Sequence, residues 1–441
     1  MTTIHPLSSL MTLPELDIFG VPPTQLMIEK DIQTDHRPLT TIKADSPIEF
    51  EITTGINEYI NLNKSELYLC LQIELTKTES PDITADDWKK ISPVNYLLNS
   101  FIKQIDVKIG QTTITSSSIN YPYIAYFDAL LNTSSQSKST HMQTSMWVKD
   151  SYPFNDHNLE RQKRLSPKGK KLAVSRHIEL YGKLHLDLSQ QLKSLIGGVT
   201  INIKIHPNSP DFYLMYDKSI VPKVNIIDTR LYIHRSIVHS QVVLAHNKML
   251  EEDKPALYFI TRREVKTCTI PKDSIDYCLN NVESGVLPRK LYISFVSNDA
   301  YNGSQTLNPF YFKHYSLRHI ACYLNGQQYP HKPYTPDFQN DKYIREYFSL
   351  FEVSNQLSHT TCDITKDEFA EGFSIFAFNF IPDLSDGVAK SGYVSPLQRG
   401  GLRIELKFNY PLAEQITALI YCEYDSLIEI QKNRFAVKDF S

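Results

Sequence analysis

Six cysteines in 441 residues are few, and Cys70, Cys268, Cys278, Cys322, Cys362 and Cys422 form no CxxC pair. Neither a disulfide framework nor a zinc ribbon is expected, and free thiols in a reducing compartment fit best. No apolar run approaches the ~18 residues that a membrane-spanning helix needs. The opening MTTIHPLSSLMTLPELDIFG has no basic stretch followed by an apolar one, so neither secretion nor membrane insertion is expected. An excess of one charge is also missing. With 46 Lys and Arg against 49 Asp and Glu, the net charge of −3 gives no general attraction to nucleic acid or anionic membrane, and any such contact must be local.

The usual catalytic signatures are absent too. The sequence has no GxGxxG or GxxxxGK[ST] to cradle a phosphate, no HExxH to hold zinc and no GxSxG to raise a serine nucleophile. His185, His234 and His239 stand without an HxH partner, as a cupin-type metal site would require. His319 and Cys322 are the nearest approach to a ligand pair. Their odd spacing in a strand directs them to opposite faces, so no metal, no cofactor, no small-molecule substrate and no enzymatic activity are expected.

What is present is β-structure. Tyr and Phe are abundant, 26 and 21 against two Trp. Period-two alternation marks half-buried strands at 48–52, 66–75, 102–110, 199–206 and 223–234, then again at 290–297, 319–326, 373–381, 402–410 and 418–430. Helical spacing appears only at 123–132 and 341–353. Tyr121, Tyr123, Tyr126 and Phe127 share one such helix, and their spacing reads as a buried face before it reads as a ligand site.

The two halves repeat each other in order. Leu67-Tyr68-Leu69 matches Leu291-Tyr292-Ile293; Ile105, Val107 and Ile109 match Ile320, Cys322 and Leu324; Tyr126-Phe127 matches Tyr347-Phe348. VTINIKIH (199–206) then corresponds to LRIELKFN (402–409), and VNIIDTRLYI (224–233) to TALIYCEYDSLIEI (417–430). Each match alone is cheap, but five in register order imply a duplicated domain. The expected fold is all-β, two consecutive eight-stranded antiparallel jelly-roll sandwiches with short helical inserts. The expected division is an N-terminal arm at 1–44, a first jelly roll at 45–240 and a second at 241–441. The stretch 234–255 loses alternation and reads as the linker, while the turn-rich 133–175, 298–311 and 382–399 read as surface inserts.

One insert concentrates positive charge in Arg161, Lys163, Arg164, Lys168, Lys170, Lys171 and Arg176. A stretch of this kind serves nuclear import or nucleic-acid contact, or it keeps an exposed loop soluble.

Beyond fold class, residues 19–39, 46–75, 92–115 and 121–132, with the closing ALIYCEYDSLIEIQKNRFAV (418–437), resemble the major capsid proteins of Polinton/Maverick elements and adintoviruses. Related capsid-like proteins of animal genomes are similar. The resemblance covers nearly the whole chain, most specifically 19–132. It implies a structural protein of the virion whose homotrimers form pseudo-hexagonal capsomers tiling an icosahedral shell around double-stranded DNA. It also implies neighbouring capsomers, penton and minor capsid proteins as partners, with weak contact to packaged DNA. Synthesis in the host cytoplasm, with import to the nucleus for assembly through the basic stretch, goes with that reading. Two other classes are compatible with the fold: a carbohydrate- or receptor-binding sandwich, whose site would sit in clustered loops, and a cupin-like metalloenzyme.

Overall fold

The computed structural model describes residues 16, 18–21, 23–42, 46–77, 83–84, 86–115, 120–165, 175–357, 360–386 and 392–439. The first half contains β1 (Ile28–His36), β2 (Ile48–Thr53), β3 (Glu58–Lys77), β4 (Ile91–Pro93), β5 (Ile102–Ile109), β6 (Thr112–Thr113), β7 (Ser175–Lys183), β8 (Thr200–Pro207), β9 (Leu214–Tyr216) and β10 (Ile220–Val238). The second contains β11 (Ala256–Ile270), β12 (Asp276–Val286), β13 (Lys290–Ser297), β14 (Leu317–Leu324), β15 (Gln327–Tyr334), β16 (Phe376–Asn379), β17 (Arg399–Phe408), β18 (Ile416–Ile430) and β19 (Ala436–Asp439).

The alternating segments pair antiparallel into four-stranded sheets, because an apolar face on every second residue can only be buried by another such face. In the first half the orders are β1-β10-β3-β7 and β2-β8-β5-β6. The second half repeats both with β11-β18-β13-β16 and β12-β17-β14-β15. Each half is thus an eight-stranded jelly roll, and β4 with β9, and β19 on β18, are additions. The five correspondences seen in the sequence fall on equivalent elements: β3 with β13, β5 with β14, β8 with β17, β10 with β18, and the helix Tyr121–Asn132 with the helix Ile344–Val353. Each helix lies between the fifth and sixth strands of its jelly roll.

Two boundaries differ from expectation. Residues 28–36, placed in a free arm, form β1 and pair along β10 from Ile28 with Val238 to His36 with Leu231. Their charged outer residues masked the pattern, since an edge strand buries little on either face. Residues 240–251, placed in a linker, form a helix that buries Val243 and Leu250.

Buried apolar residues run continuously through both halves as one cluster. No helix among the described residues is long and apolar enough to cross a membrane.

Candidate functional site

The chemistry of the molecule concentrates at the seam where the first jelly roll lies on the second. The helix Tyr121–Asn132 has Pro122 in its first turn, where a missing N–H costs nothing, and is buried from Tyr121 to Leu131. Apolar side chains all round a helix require cover on every side, and the second half supplies it. Tyr126 stacks on Phe310 with ring centroids 4.0 Å apart, Phe127 on Phe312 at 5.3 Å, and Tyr123 on Tyr301 at 5.9 Å. Offset stacks of this kind contribute about 0.5–1.5 kcal/mol each beyond burial. The sequence signal for the aromatic face of 121–127 was adequate. Phe310 and Phe312 lay in a stretch without period, so nothing marked them as its partners.

Polar pairs fix the register of the seam. Asp128 on the helix sits 3.5 Å from the Arg263 guanidinium on β11, with His185 and Gln190 also on its carboxylate. Burial alone would raise the Asp128 carboxyl, but Arg263 and His185 outweigh it and hold it well below the usual range. Asp187 accepts the backbone N–H of Arg263 at 3.2 Å. Here burial wins over Arg263, and the carboxyl is pushed up to about 6. Asn120 donates to the Val265 carbonyl at 3.0 Å and accepts from the Tyr301 hydroxyl at 2.9 Å.

The insert 133–165, expected as a surface loop, instead lies across the second half. Lys138 reaches Asp363 at 2.6 Å and Lys149 reaches Glu368 at 2.8 Å. Phe154 stacks on Tyr311 at 4.8 Å and packs so closely on Gly372 that a Cβ there would meet its ring at 2.4 Å. Asn308 of the second half donates to Asp150 at 3.1 Å and to the Phe154 carbonyl at 3.1 Å.

Of the described basic residues, Lys163, Arg164 and Arg176 line one cavity, and Arg161 stands apart from it. Arg161 is 2% exposed, paired with Asp150 and bonded to the Pro93 carbonyl at 3.2 Å, so its charge is neutralised inside the fold. It lies in a short helix, Leu159–Leu165, whose inward face the loop composition concealed. Arg176 is half-buried on β7 with its guanidinium 4.7 Å from the Trp88 ring centroid. Lys163 is exposed and pairs with Glu160, while Arg164 donates to the Gln143 carbonyl. Lys168, Lys170 and Lys171 lie outside the described residues.

Among the described residues no group of three or more His, Cys, Asp or Glu side chains is arranged to hold a metal ion. Cys322 is buried on β14 and His319 half-buried on the same strand. All six cysteines are unpaired, four of them buried. Beside the seam lies a polar cavity of about 580 Å³ whose lining includes Arg263, Arg289, Lys290, Asp386 and Glu423. Its cations are already matched: Arg289 with Glu423 and Asp425 at 3.0 and 2.9 Å, and Lys290 with Asp386 at 2.6 Å.

No family model matches the chain. An uncharacterized protein of Caenorhabditis elegans is 23% identical over 436 residues, which span 95% of this chain and 99% of that relative. Among solved structures, a chain of the Sputnik virophage aligns with a TM-score of 0.68 at 12% identity, over 98% of this chain and 93% of that one. The chain has the double jelly-roll fold. The Faustovirus major capsid protein aligns with a TM-score of 0.56 at 9% identity, over 93% of this double jelly roll and 92% of that chain. The mavirus major capsid protein gives 0.54 at 10% identity, over 99% and 97%. At these identities the likeness is one of fold.

Proposed function

We propose that this double jelly roll is a major capsid protein, and that three copies close into a pseudo-hexagonal block by repeating between chains the seam that each chain makes within itself. The observation that carries the reading is the unequal cover of two equivalent sheets. The sheet β11-β18-β13-β16 of the second half carries the first half's helix, with Asp128 against Arg263 and Phe127 against Tyr421, and every residue of β13 and all but one of β18 are buried. Its counterpart β1-β10-β3-β7 keeps the alternating pattern of a sheet with one face in solvent, and Tyr232 and Arg230 on β10 are half-exposed. The second half's helix Ile344–Val353 likewise lacks the cover given to the first. Ile344 is 61% and Phe348 52% exposed, where the equivalent Phe127 is fully buried.

A free helix face at one end of the chain and a free sheet face at the other are the two halves of a heterologous contact. With two jelly rolls per chain, a contact that repeats the internal seam closes after three chains when each seam turns by one sixth of a circle. The shared fold of the Faustovirus and mavirus major capsid proteins, and the resemblance of 19–132 to Polinton and adintovirus capsid proteins, support the same reading. Neighbouring capsomers, penton and minor capsid proteins are then the partners, double-stranded DNA the cargo and the virion the location. Lys163, Arg164, Lys168, Lys170 and Lys171 are the basic residues left for DNA contact or nuclear import. The folding units are 28–240 and 241–441, the first strand belonging to the first jelly roll.

Light scattering on the purified chain tests this directly. A mass of three chains across micromolar concentrations is expected, and a monomer with intact β-structure would overturn it.

A further inference from the structure

We infer that the apolar groove beside the helix Ser240–Glu251 receives the N-terminal segment 16–27 of a second copy of this chain. The groove, about 450 Å³, is floored by Tyr59, Ile196, Leu250 and Tyr258 and walled by Met249 and Leu257. Met249 and Leu257 both line the groove and stay substantially exposed, so it offers apolar surface to a partner. Lys193 and Lys254 stand at its rim, Lys193 donating to the Leu257 carbonyl at 3.1 Å.

Elsewhere the chain carries a segment with the complementary character. Leu16, Ile18, Phe19, Val21, Leu26 and Met27 are all exposed, Phe19 at 94%. No other stretch of comparable length leaves so many large apolar side chains in solvent among the described residues. Its sequence, PELDIFGVPPTQLM, sets Glu15 and Asp17 beside those apolar residues, opposite in sign to the lysines at the rim. Apolar side chains entering the cleft and carboxylates meeting Lys193 and Lys254 would satisfy both surfaces together, burial supplying most of the affinity.

The occupant is a second copy because the segment does not fill the groove of its own chain. It is rooted where the His239 N–H donates to the Met27 carbonyl at 2.9 Å, immediately before the helix that lines the groove. From there to Met249 is about 15 Å along the helix, within reach of twelve extended residues. Nevertheless Leu16, Ile18, Phe19, Val21, Leu26 and Met27 all remain exposed. The Pro22-Pro23 pair disfavours the tight reversal that a return would need and favours an extended chain leading away. An exchange of such segments links copies whether or not they also close into hexagonal blocks, so it stands apart from the proposed trimer.

The full-length chain with Phe19→Cys and Leu257→Cys together tests this, with each single variant as control for the native thiols. A disulfide forms only when the two Cα atoms come within about 7 Å. Under mild oxidation the double variant is expected to lose its added thiols and to run as covalent dimers and longer ladders on a denaturing gel, while each single variant stays monomeric. Loss of the thiols with the chain still monomeric would overturn the inference by showing that the segment occupies its own groove. Retention of the thiols would overturn it by showing that the two never meet. If Leu257→Cys disturbs β11, Met249→Cys on the helix replaces it with the same expected outcomes. Light scattering on the same samples separates the two proposals, since trimers without cross-links remove only this one.

Discussion

β10 and β18 hold the same place in their jelly rolls, second in the sheet and flanked by equivalent strands, yet they are buried differently. β18 is buried on both faces at all but one residue, its polar Thr417, Glu423, Asp425 and Ser426 included, while burial along β10 alternates. The difference lies not in the strands' own wiring but in what each sheet carries on its back. β18 lies beneath the first half's helix, with Phe127 against Tyr421, whereas the outer residues of β10 stay half-exposed on the face that the proposed trimer would cover. A strand buried on alternate residues and its continuously buried twin in a duplicated protein therefore mark where the internal contact ends.

The largest expected effect comes from removing a charge on the covered side. Arg263→Ala leaves Asp128 buried without its main counter-ion and should cost about 3–5 kcal/mol in chemical denaturation. Asp35→Ala, on the exposed edge strand β1 of the counterpart sheet, should cost less than about 0.5 kcal/mol. Equal losses would erase the distinction between the two sheets.

Next in size is Phe348→Asp on the open helix. Folding stability should change by less than about 1 kcal/mol because the side chain is half in solvent. Self-association should weaken by about 30-fold or more, the scale of a lost interface anchor. Sedimentation equilibrium reads both the mass and its concentration dependence, and unchanged association would place the contact elsewhere.

Asp187→Asn sharpens the account of the seam through pH. Burial raises the folded carboxyl to about 6, so its contribution to stability is fully present below its unfolded value near 4 and is lost as pH rises through 6. The variant should therefore melt higher than the wild type at pH 7.5, by a margin on the order of 1–3 kcal/mol, and the gap should close by pH 4. A gap that widens on acidification would mean that the carboxylate is favoured in the fold.

The smallest effect is expected from Lys163, Lys168, Lys170 and Lys171 changed together to Gln, which should shift stability by less than about 0.5 kcal/mol. Arg161→Gln, a neighbour in sequence, should behave like the seam variants because it strands Asp150.

Strand order and the duplication were legible because period-two alternation is a local signal, carried by residues such as Ile105, Val107 and Ile109 whatever their partners. The buried helix was legible for the same reason, through Tyr123, Tyr126 and Phe127. The contact was not. Lys138 meets Asp363, and Phe154 meets Tyr311 and Gly372, across more than 150 residues of chain. An aperiodic insert that lies on another domain has the composition of one that lies in solvent. Arg161 illustrates the limit: among neighbouring lysines it looked like surface charge, and only Asp150 and the Pro93 carbonyl distinguish it.

Negative-stain microscopy of the purified protein tests the central claim most directly. Blocks of hexagonal outline, each with the mass of three chains and six lobes, are the expected image, and Phe348→Asp should leave two-lobed single particles. Two-lobed particles from the unaltered chain at every concentration would contradict the account, since the open sheet and the open helix would then have no partner in one another.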